Sequence, residues 1–430
     1  MKIVVITPEF YNYGSMIVAG ILKDLGHDVT LQKDFKDPRA DIVFISLHST
    51  IHLIKYRREI NQIKAFKVLG GPVSTNPQLI FRYLDIDLVV RGEAEDKIDK
   101  IIEYLEGKRE KTSIPGVAFK EDDEIIATPS TQEDSIEHPL PLIPSDISKE
   151  NIRGANVYIE THRGCVGNCT FCQVPCFFGR KVRSRSLKSI IEEVKEFMRK
   201  GARRIAISGG TGTLYGSRKF KNINEDAFIE LLKKVSELTR PINLTIPDIR
   251  VDLVTDDILE TIARYTNGWI YYGIESGSPK ILKKMKKGIS VDDVSEAVEM
   301  ARKHGVKVAG SFIVGYPGEE EEDFQATLEL ADELMLDDYF VSIAEPIPGT
   351  ALAEEVKKLP FHENPVYMDS IDGRFKSLAA ERAFKFLLDS YVFRSIPVPV
   401  TDKLFKSIID EVKSQEEHIR TVTAMIKGLI

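Results

Sequence analysis

The sequence predicts an α/β chain in three parts: an N-terminal doubly wound, flavodoxin-like domain, a partial (β/α)6 TIM-like barrel, and a C-terminal helical region. Three observations predict it. Short, uninterrupted apolar runs alternate with amphipathic segments twice along the chain, as expected of parallel strands buried on both faces. A proline-rich stretch, EHPLPLIPSD (Glu137–Asp146), separates the two alternations. From about Glu354 only helical periodicity remains. A chain of 430 residues exceeds one ordinary domain. The divisions fall at residues 1–136, 137–151 (a linker), 152–353 and 354–430.

In the first part KIVVIT (Lys2–Thr7) reads as a strand. Ile17, Ile21, Leu22 and Leu25 then recur at helical spacing before Gly26. DVTLQ, DIVFISL, KVLGG and DLVVRG supply further strands, most of them separated by helical segments. GVAFK and EIIATP, joined by EDD, form a small hairpin. In the second part the strands are VYIET, RIAISGG, INLTIPDIRV, WIYYGIES, VKVAGSFIVG and DYFVSIAEP. Leu187, Ile190, Ile191, Val194, Phe197 and Met198 mark one helix face, and Val291, Val294, Ala297, Val298 and Ala301 another. In the tail, ERAFKFLLDSYVF and the stripe Leu404, Phe405, Ile408, Ile409 and Val412 read as helices that pack on a core.

The formal net charge of −7 gives no sign of a nucleic-acid coat. One local basic patch, GRKVRSR (Gly179–Arg185), reads either as a solvated loop or as a phosphate contact. MKIVVITP lacks the pattern of a signal peptide, and no apolar run reaches 18 residues, so no membrane span is expected. All four cysteines fall within GCVGNCTFCQVPC, from Gly164 to Cys176. Such a cluster in a large chain reads as a metal site in a reducing compartment rather than a disulfide framework. The expected location is therefore the cytoplasm.

The cysteine spacing is C-x3-C-x2-C-x3-C. Structural zinc sites draw pairs from two separated knuckles, whereas compact runs of this kind hold iron–sulfur clusters. No cysteines remain for a second cluster, so the simplest ligand set is Cys165, Cys169 and Cys172, with one iron left open and Cys176 without a role in it. The loop follows the first barrel strand. SGGTG, PDIRVD, GIESGS, GYPGE and EPIPGT follow the other five. Polar or glycine-rich ends of six strands, facing one mouth, indicate a site.

C-x3-C-x-aromatic-C, with Phe171 as the aromatic, resembles the motif of the radical SAM enzymes, and the resemblance extends over about residues 152–350. It implies a 4Fe–4S cluster whose open iron takes S-adenosylmethionine (SAM). It also implies SAM contacts from Phe171, from Gly209, Gly210 and Thr211 in SGGTG, from Arg250 in PDIRVD, and from Glu275 and Ser276 in GIESGS. An acidic residue is more usual where Thr211 stands. LGGPVSTNPQLI, DIDLVVRGEAEDKIDKIIEYL, IPGVAFK and LPLIPSDI resemble the cobalamin-binding domain fused to many of these enzymes. That likeness implies a corrin pocket formed by Pro8, Glu9, Tyr11, Ser46, Leu47, His48, Gly70, Gly71, Gly92 and Glu93. No D-x-H-x-x-G is present, so the cobalt is expected without the histidine of that motif. No G-x-G-x-x-G follows the first strand, which argues against a nicotinamide cofactor.

Together the two resemblances imply a methyltransferase acting through methylcobalamin on an unactivated carbon. CTFCQVPCFFGRKVRSRS and the helical tail resemble the archaeal, methanogen subgroup that includes the methyl-coenzyme M reductase glutamine C-methyltransferase. The implied partners are that enzyme's α subunit or a peptide of it, modified post-translationally, and an electron donor such as a ferredoxin. Two other readings stay open: a cobalamin-linked rearrangement or cyclisation of a small molecule or lipid, and a non-catalytic iron–sulfur or cobalamin sensor. A tRNA methylthiotransferase needs three further cysteines in its N-terminal domain, and this chain has none there.

Overall fold

The structure is a computed structural model that describes residues 1–36, 38–218, 222–392, 399 and 401–430. The N-terminal strands are β1 (Lys2–Ile6), β2 (Asp28–Gln32), β3 (Ile42–Ser46), β4 (Phe66–Gly70), β5 (Leu88–Val90), β6 (Val117–Glu121) and β7 (Glu124–Ala127). They form one sheet in the order β2-β1-β3-β4-β5-β6-β7. The first five are parallel, in the doubly wound order that the sequence predicts. The apolar runs are continuous because both faces are covered. Val4, Ile6, Val43, Ile45, Leu69 and Val89 enter one core, while Ile3, Val5, Ile42, Phe44, Val68, Leu88 and Val90 enter the other. The β6–β7 hairpin is no separate unit, since β6 pairs antiparallel with β5 and extends the sheet.

The second part contains β8 (Val157–Glu160), β9 (His162–Arg163), β10 (Arg183–Ser184), β11 (Ile205–Ser208), β12 (Leu244–Thr245), β13 (Asp248–Ile249), β14 (Trp269–Glu275), β15 (Lys307–Val314) and β16 (Asp338–Ile343). β8, β11 and β12 form one parallel sheet, and β13 to β16 another. The expected single third strand, INLTIPDIRV, is broken between Thr245 and Asp248. Pro247 lies in the break and has no N–H to continue a ladder. β9 and β10 pair antiparallel and close the base of the loop carrying the cysteines, a hairpin that no alternation of apolar residues announces.

The arc ends at β16, whose free edge is covered rather than paired. The side chain of Gln415, on the last helix (Asp402–Lys427), donates to the carbonyl of Val341 at 3.2 Å and accepts from the amide of Ile343 at 3.2 Å. That helix packs Ile408, Val412 and Ile419 on the barrel core and Met425 on the N-terminal core. The proline-rich linker is equally committed. Leu142 donates to the carbonyl of Met16 at 2.8 Å, and Ile143 and Ile147 enter the barrel core. Gly20 lies where the linker crosses the first helix (Tyr13–Asp24), because a Cβ there would stand 2.4 Å from the Leu140 carbonyl oxygen.

Tyr13, on that first helix, crosses to the barrel. Its hydroxyl donates to Glu193 at 2.6 Å and accepts from Arg185 at 2.7 Å, while Arg185 also donates to Glu193 at 2.9 Å. Glu193 is fully buried on a helix face that otherwise reads as apolar. Glu193→Ala would strand the Arg185 guanidinium, so it should destabilise the protein by about 3–5 kcal/mol. Urea unfolding of the variant against the parent measures this.

Candidate functional site

The cysteine loop, residues 164–182, is pinned by β9 and β10 and by close backbone contact. Gly164 has φ 90°, and a Cβ there would stand 2.2 Å from the carbonyl oxygen of Lys181. The four cysteines are free thiols. A Cβ built on Gly167 would lie 3.4 Å from Cys165 Sγ and 3.6 Å from Cys169 Sγ, so both sulfurs converge over that glycine. Burial pushes the Cys172 thiol up to about 12, and the charges of Cys169 and Cys165 push the same way. Burial also raises Cys169, against the pull of Lys287 and Arg250. Cys176 is the exposed one. Its Sγ turns back to the Cys172 carbonyl at 3.7 Å, and its pKa is raised by burial alone, with no contribution from the other thiols. Cys165 and Cys169 thus converge over Gly167, the Cys172 thiol feels both, and Cys176 lies on the exposed side of the loop.

The other strand ends divide into groups that face the loop and groups taken up by the fold. Gly209 is glycine because the buried His162 ring stands 2.1 Å from where its Cβ would be. Gly210 is glycine because the Gly164 carbonyl oxygen stands at 2.2 Å and Cys165 Cβ at 2.7 Å. The hydroxyl of Thr211 donates to the Asp248 carbonyl at 3.2 Å and accepts from the Arg250 amide at 2.9 Å, so it joins β11 to β13. Ser276 is likewise engaged, with Thr327 at 3.1 Å and the Ser278 amide at 3.1 Å. Phe171 packs on the apolar cluster of Ile281, Met285, Ile313 and Tyr316, fastening the loop to the barrel's far side. Arg250 grips Asp252 through Nε at 2.8 Å and Nη2 at 3.0 Å, and its Nη1 lies 4.0 Å from Cys169 Sγ. Glu275 is buried, pairs with Lys287 at 2.6 Å, and has φ 71° at a bulge in β14. A non-glycine residue in that region is strained by roughly 1–3 kcal/mol.

Opposite the loop lies a cavity of about 370 Å³, between the C-terminal edge of the N-terminal sheet and the barrel. Ser46, His48, Gly70, Gly71, Gly92 and Glu93 line it, as the sequence reading places them. Pro8, Glu9, Tyr11 and Leu47 do not. Pro8 is buried in the turn after β1, and Leu47 is buried in the N-terminal core. Tyr11 packs in the barrel core, its amide donating to Glu150 at 3.2 Å. Glu9 faces Lys55, His48 and His52 on the sheet's outer rim. Cβ atoms at Gly14, Gly70 and Gly92 would meet nothing closer than 3.9 Å, so these glycines leave open space rather than relieve a clash. From the barrel side Tyr158, Glu160, Gln173, Val174, Phe177 and Phe178 complete the wall. Sequence reasoning missed these because four of the six sit in the cysteine loop itself. The alternation of Val174, Phe177 and Phe178 on the short helix Val174–Phe178 was the available signal.

A lattice of buried charge bounds the cavity. Arg163 donates to Glu93 at 2.7 Å and to Glu160 at 2.6 Å, and it pairs with Glu95. Arg183 forks onto both oxygens of Glu93, at 2.5 Å and 3.0 Å. Burial pushes the Glu95 carboxyl up, but Arg163 outweighs it and holds the group at about 2. Glu93 is lowered in the same way, burial being overcome by Arg183 and Arg163. The basic patch GRKVRSR is therefore split: Arg180 and Lys181 are exposed, whereas Arg183 and Arg185 are taken into the fold. Arg183 and Arg185 are buried in ion pairs, and Arg180 donates to the Val166 carbonyl at 2.9 Å.

Residues 159–331 match the family model of the radical SAM superfamily. MJ0865 of Methanocaldococcus jannaschii, provisionally named a methylthiotransferase, is 45% identical over 99% of this chain and 96% of its own. The Pyrococcus horikoshii protein PH0819, named an uncharacterized methyltransferase, is 31% identical over 96% of this chain and 89% of its own. Among solved structures, the radical S-adenosylmethionine methyltransferase TsrM of Kitasatospora setae, with cobalamin and a [4Fe-4S] cluster bound, superposes with a TM-score of 0.72. That match has 15% identity and covers 98% of this chain and 99% of TsrM, which shows a shared fold. No helix among the described residues is long and apolar enough to cross a membrane.

His162 holds the base of the loop through Nε2, 2.9 Å from the Thr211 carbonyl, and burial lowers its pKa to about 4. The unfolded chain, at the ordinary value near 6.5, takes up that proton first. The contribution of His162 to stability is therefore complete above about pH 6.5 and is lost as the pH falls toward about 4. Urea midpoints should fall across that window, and His162→Gln should flatten part of the fall.

Proposed function

Because the chain belongs to the radical SAM superfamily, we propose that it is a cobalamin-dependent radical SAM methyltransferase that transfers a methyl group to an unactivated carbon. The observation that carries this reading is the face-to-face placement of a three-thiol loop and a glycine-lined cavity across one domain interface. The donor set fits. Cys165, Cys169 and Cys172 would hold a 4Fe–4S cluster, and the glycine-lined wall with Ser46 and His48 would hold a corrin. When bound, these groups supply what side chains lack, one-electron cleavage of SAM and carriage of a methyl group on cobalt.

The chain's own part is position and electrostatics. Arg250 keeps a cation beside Cys169 and opposes the rise that burial imposes on it. Glu275 and Lys287 neutralise each other at the end of β14, so neither charge is buried unpaired. Phe171 anchors the loop, and Val174, Phe177 and Phe178 give the cavity an apolar wall on the loop side.

The acceptor in this reading is the α carbon of a glutamine in methyl-coenzyme M reductase, with a ferredoxin-like electron donor. It is supported by the resemblance of residues 169–186 and of the helical tail. A second reading, methylthio transfer, is favoured by the name of the M. jannaschii relative. All four cysteines lie between Cys165 and Cys176, so the chain has no thiols for a second cluster in its N-terminal domain.

Anaerobic incubation with SAM, reductant, cobalamin and the matching glutamine peptide should yield S-adenosylhomocysteine, 5′-deoxyadenosine and a singly methylated peptide. SAM cleavage without peptide methylation would remove this acceptor, a methylthio mass increment would favour the second reading, and no SAM turnover would overturn both. Cys169→Ala should abolish the cluster's visible absorption, and Cys176→Ala should leave it intact.

A further inference from the structure

Among the described residues one cluster of metal-ligand types stands apart from the cysteine loop, formed by Glu9, His48 and His52. Glu9 follows β1, His48 follows β3, and His52 begins the helix His52–Lys55. Two loops at the same edge of the sheet thus bring one carboxylate and two imidazoles together, with ligand atoms all within 4.8 Å of one another. His52 Nε2 lies 3.4 Å from Glu9 Oε1, and His48 Nε2 lies 3.7 Å from Glu9 Oε2. Both separations exceed the 2.7–3.2 Å of an N–H···O bond. They approach the ligand–ligand edge, about 3.3–3.4 Å, of a tetrahedron with metal–ligand bonds of about 2.0–2.1 Å.

The imidazoles pack on Phe10 and Tyr56, but their ring nitrogens have no hydrogen bond besides the approach to Glu9. His52 is 2% exposed, and the Nδ1 atoms of both rings are buried without a hydrogen-bond partner. The rings pack edge to face, with centroids 4.4 Å apart and planes at 87°. The cation now beside Glu9 is Lys55, 2.5 Å from Oε1, with a half-exposed side chain free to withdraw into solvent.

We propose that Glu9, His48 and His52 form a binding site for a divalent first-row transition ion, of which zinc is the probe. Two imidazoles and a carboxylate suit such an ion. Three protein ligands leave the fourth position to water. The ion would tie the loop after β1 to the loop after β3. Since His48 also lines the interdomain cavity, that wall would be stiffened with it. The site shares His48 with the proposed corrin wall, while Glu9 and His52 lie outside that cavity, and metal retention is read without methyl transfer.

Crystals of the full chain grown with equimolar zinc should show an anomalous peak at the zinc edge, bonded to all three side chains. In solution, equilibrium dialysis would use the full chain carrying Cys165→Ala, Cys169→Ala, Cys172→Ala and Cys176→Ala, so that thiolates do not compete. It should retain one equivalent of zinc. Adding Glu9→Gln, a change at the exposed ligand that should leave folding intact, should weaken binding by more than about 100-fold, beyond the 10–100-fold cost of losing an outer-shell partner. Adding Lys55→Ala instead should strengthen it. A map without the peak, or zinc retention unchanged by both Glu9→Gln and His52→Gln, would overturn the proposal.

Discussion

The architecture depends on the clamp of Arg163 and Arg183 onto Glu93, Glu95 and Glu160. Two parallel sheets present the C-terminal ends of their strands to each other, and a cavity is held open between them. Apolar packing alone would close such a gap. Here the closest approach is made by groups that demand partners at fixed distance, Arg163 with three carboxylates and Arg183 with both oxygens of one. Burying this many charges is expensive, and it is tolerated because each carboxylate meets a guanidinium. Loss of one arginine would leave carboxylates unpaired at the cavity wall.

The cysteine loop inherits its shape from the same region. Arg163 and Arg183 are themselves the paired residues of β9 and β10, so the clasp that closes the loop and the clamp that joins the domains share two side chains. Around them the contacts are tight enough that glycine is required: Gly164 against Lys181, Gly209 against His162, and Gly210 against Gly164. A rigid loop suits a ligand set whose sulfurs must converge before any metal arrives, since burial otherwise favours their protonated forms. Cys176, four residues beyond Cys172, escapes this constraint: it is exposed, and its Sγ turns back only to the Cys172 carbonyl.

The fold was legible because its signals are local. Apolar runs bounded by turns, helical stripes such as Ile190, Val194 and Phe197, and the proline-rich divider each depend on a few adjacent residues. The sequence missed what depended on a partner far along the chain. The β6–β7 hairpin joins the main sheet because β5 offers it a free edge. Glu193 lies on an apolar helix face because Tyr13 arrives there from the first helix, beside the nearby Arg185. Thr211 and Ser276 sit at strand ends that read as ligand-facing, yet neighbouring strands and helices take their hydroxyls.

By itself, then, the sequence determined most of the elements, the doubly wound first sheet, and the spacing of the clustered cysteines, because periodicity and spacing are properties of the chain alone. The tertiary structure decided which of those elements face one another. It turned a basic loop into an interdomain clamp, put Pro8, Glu9, Tyr11 and Leu47 outside the cavity, and gathered Glu9, His48 and His52 on its rim. Those outcomes turn on contacts between residues dozens to more than a hundred positions apart. Such contacts are set by how charged and polar groups find partners once buried, and no local pattern encodes that.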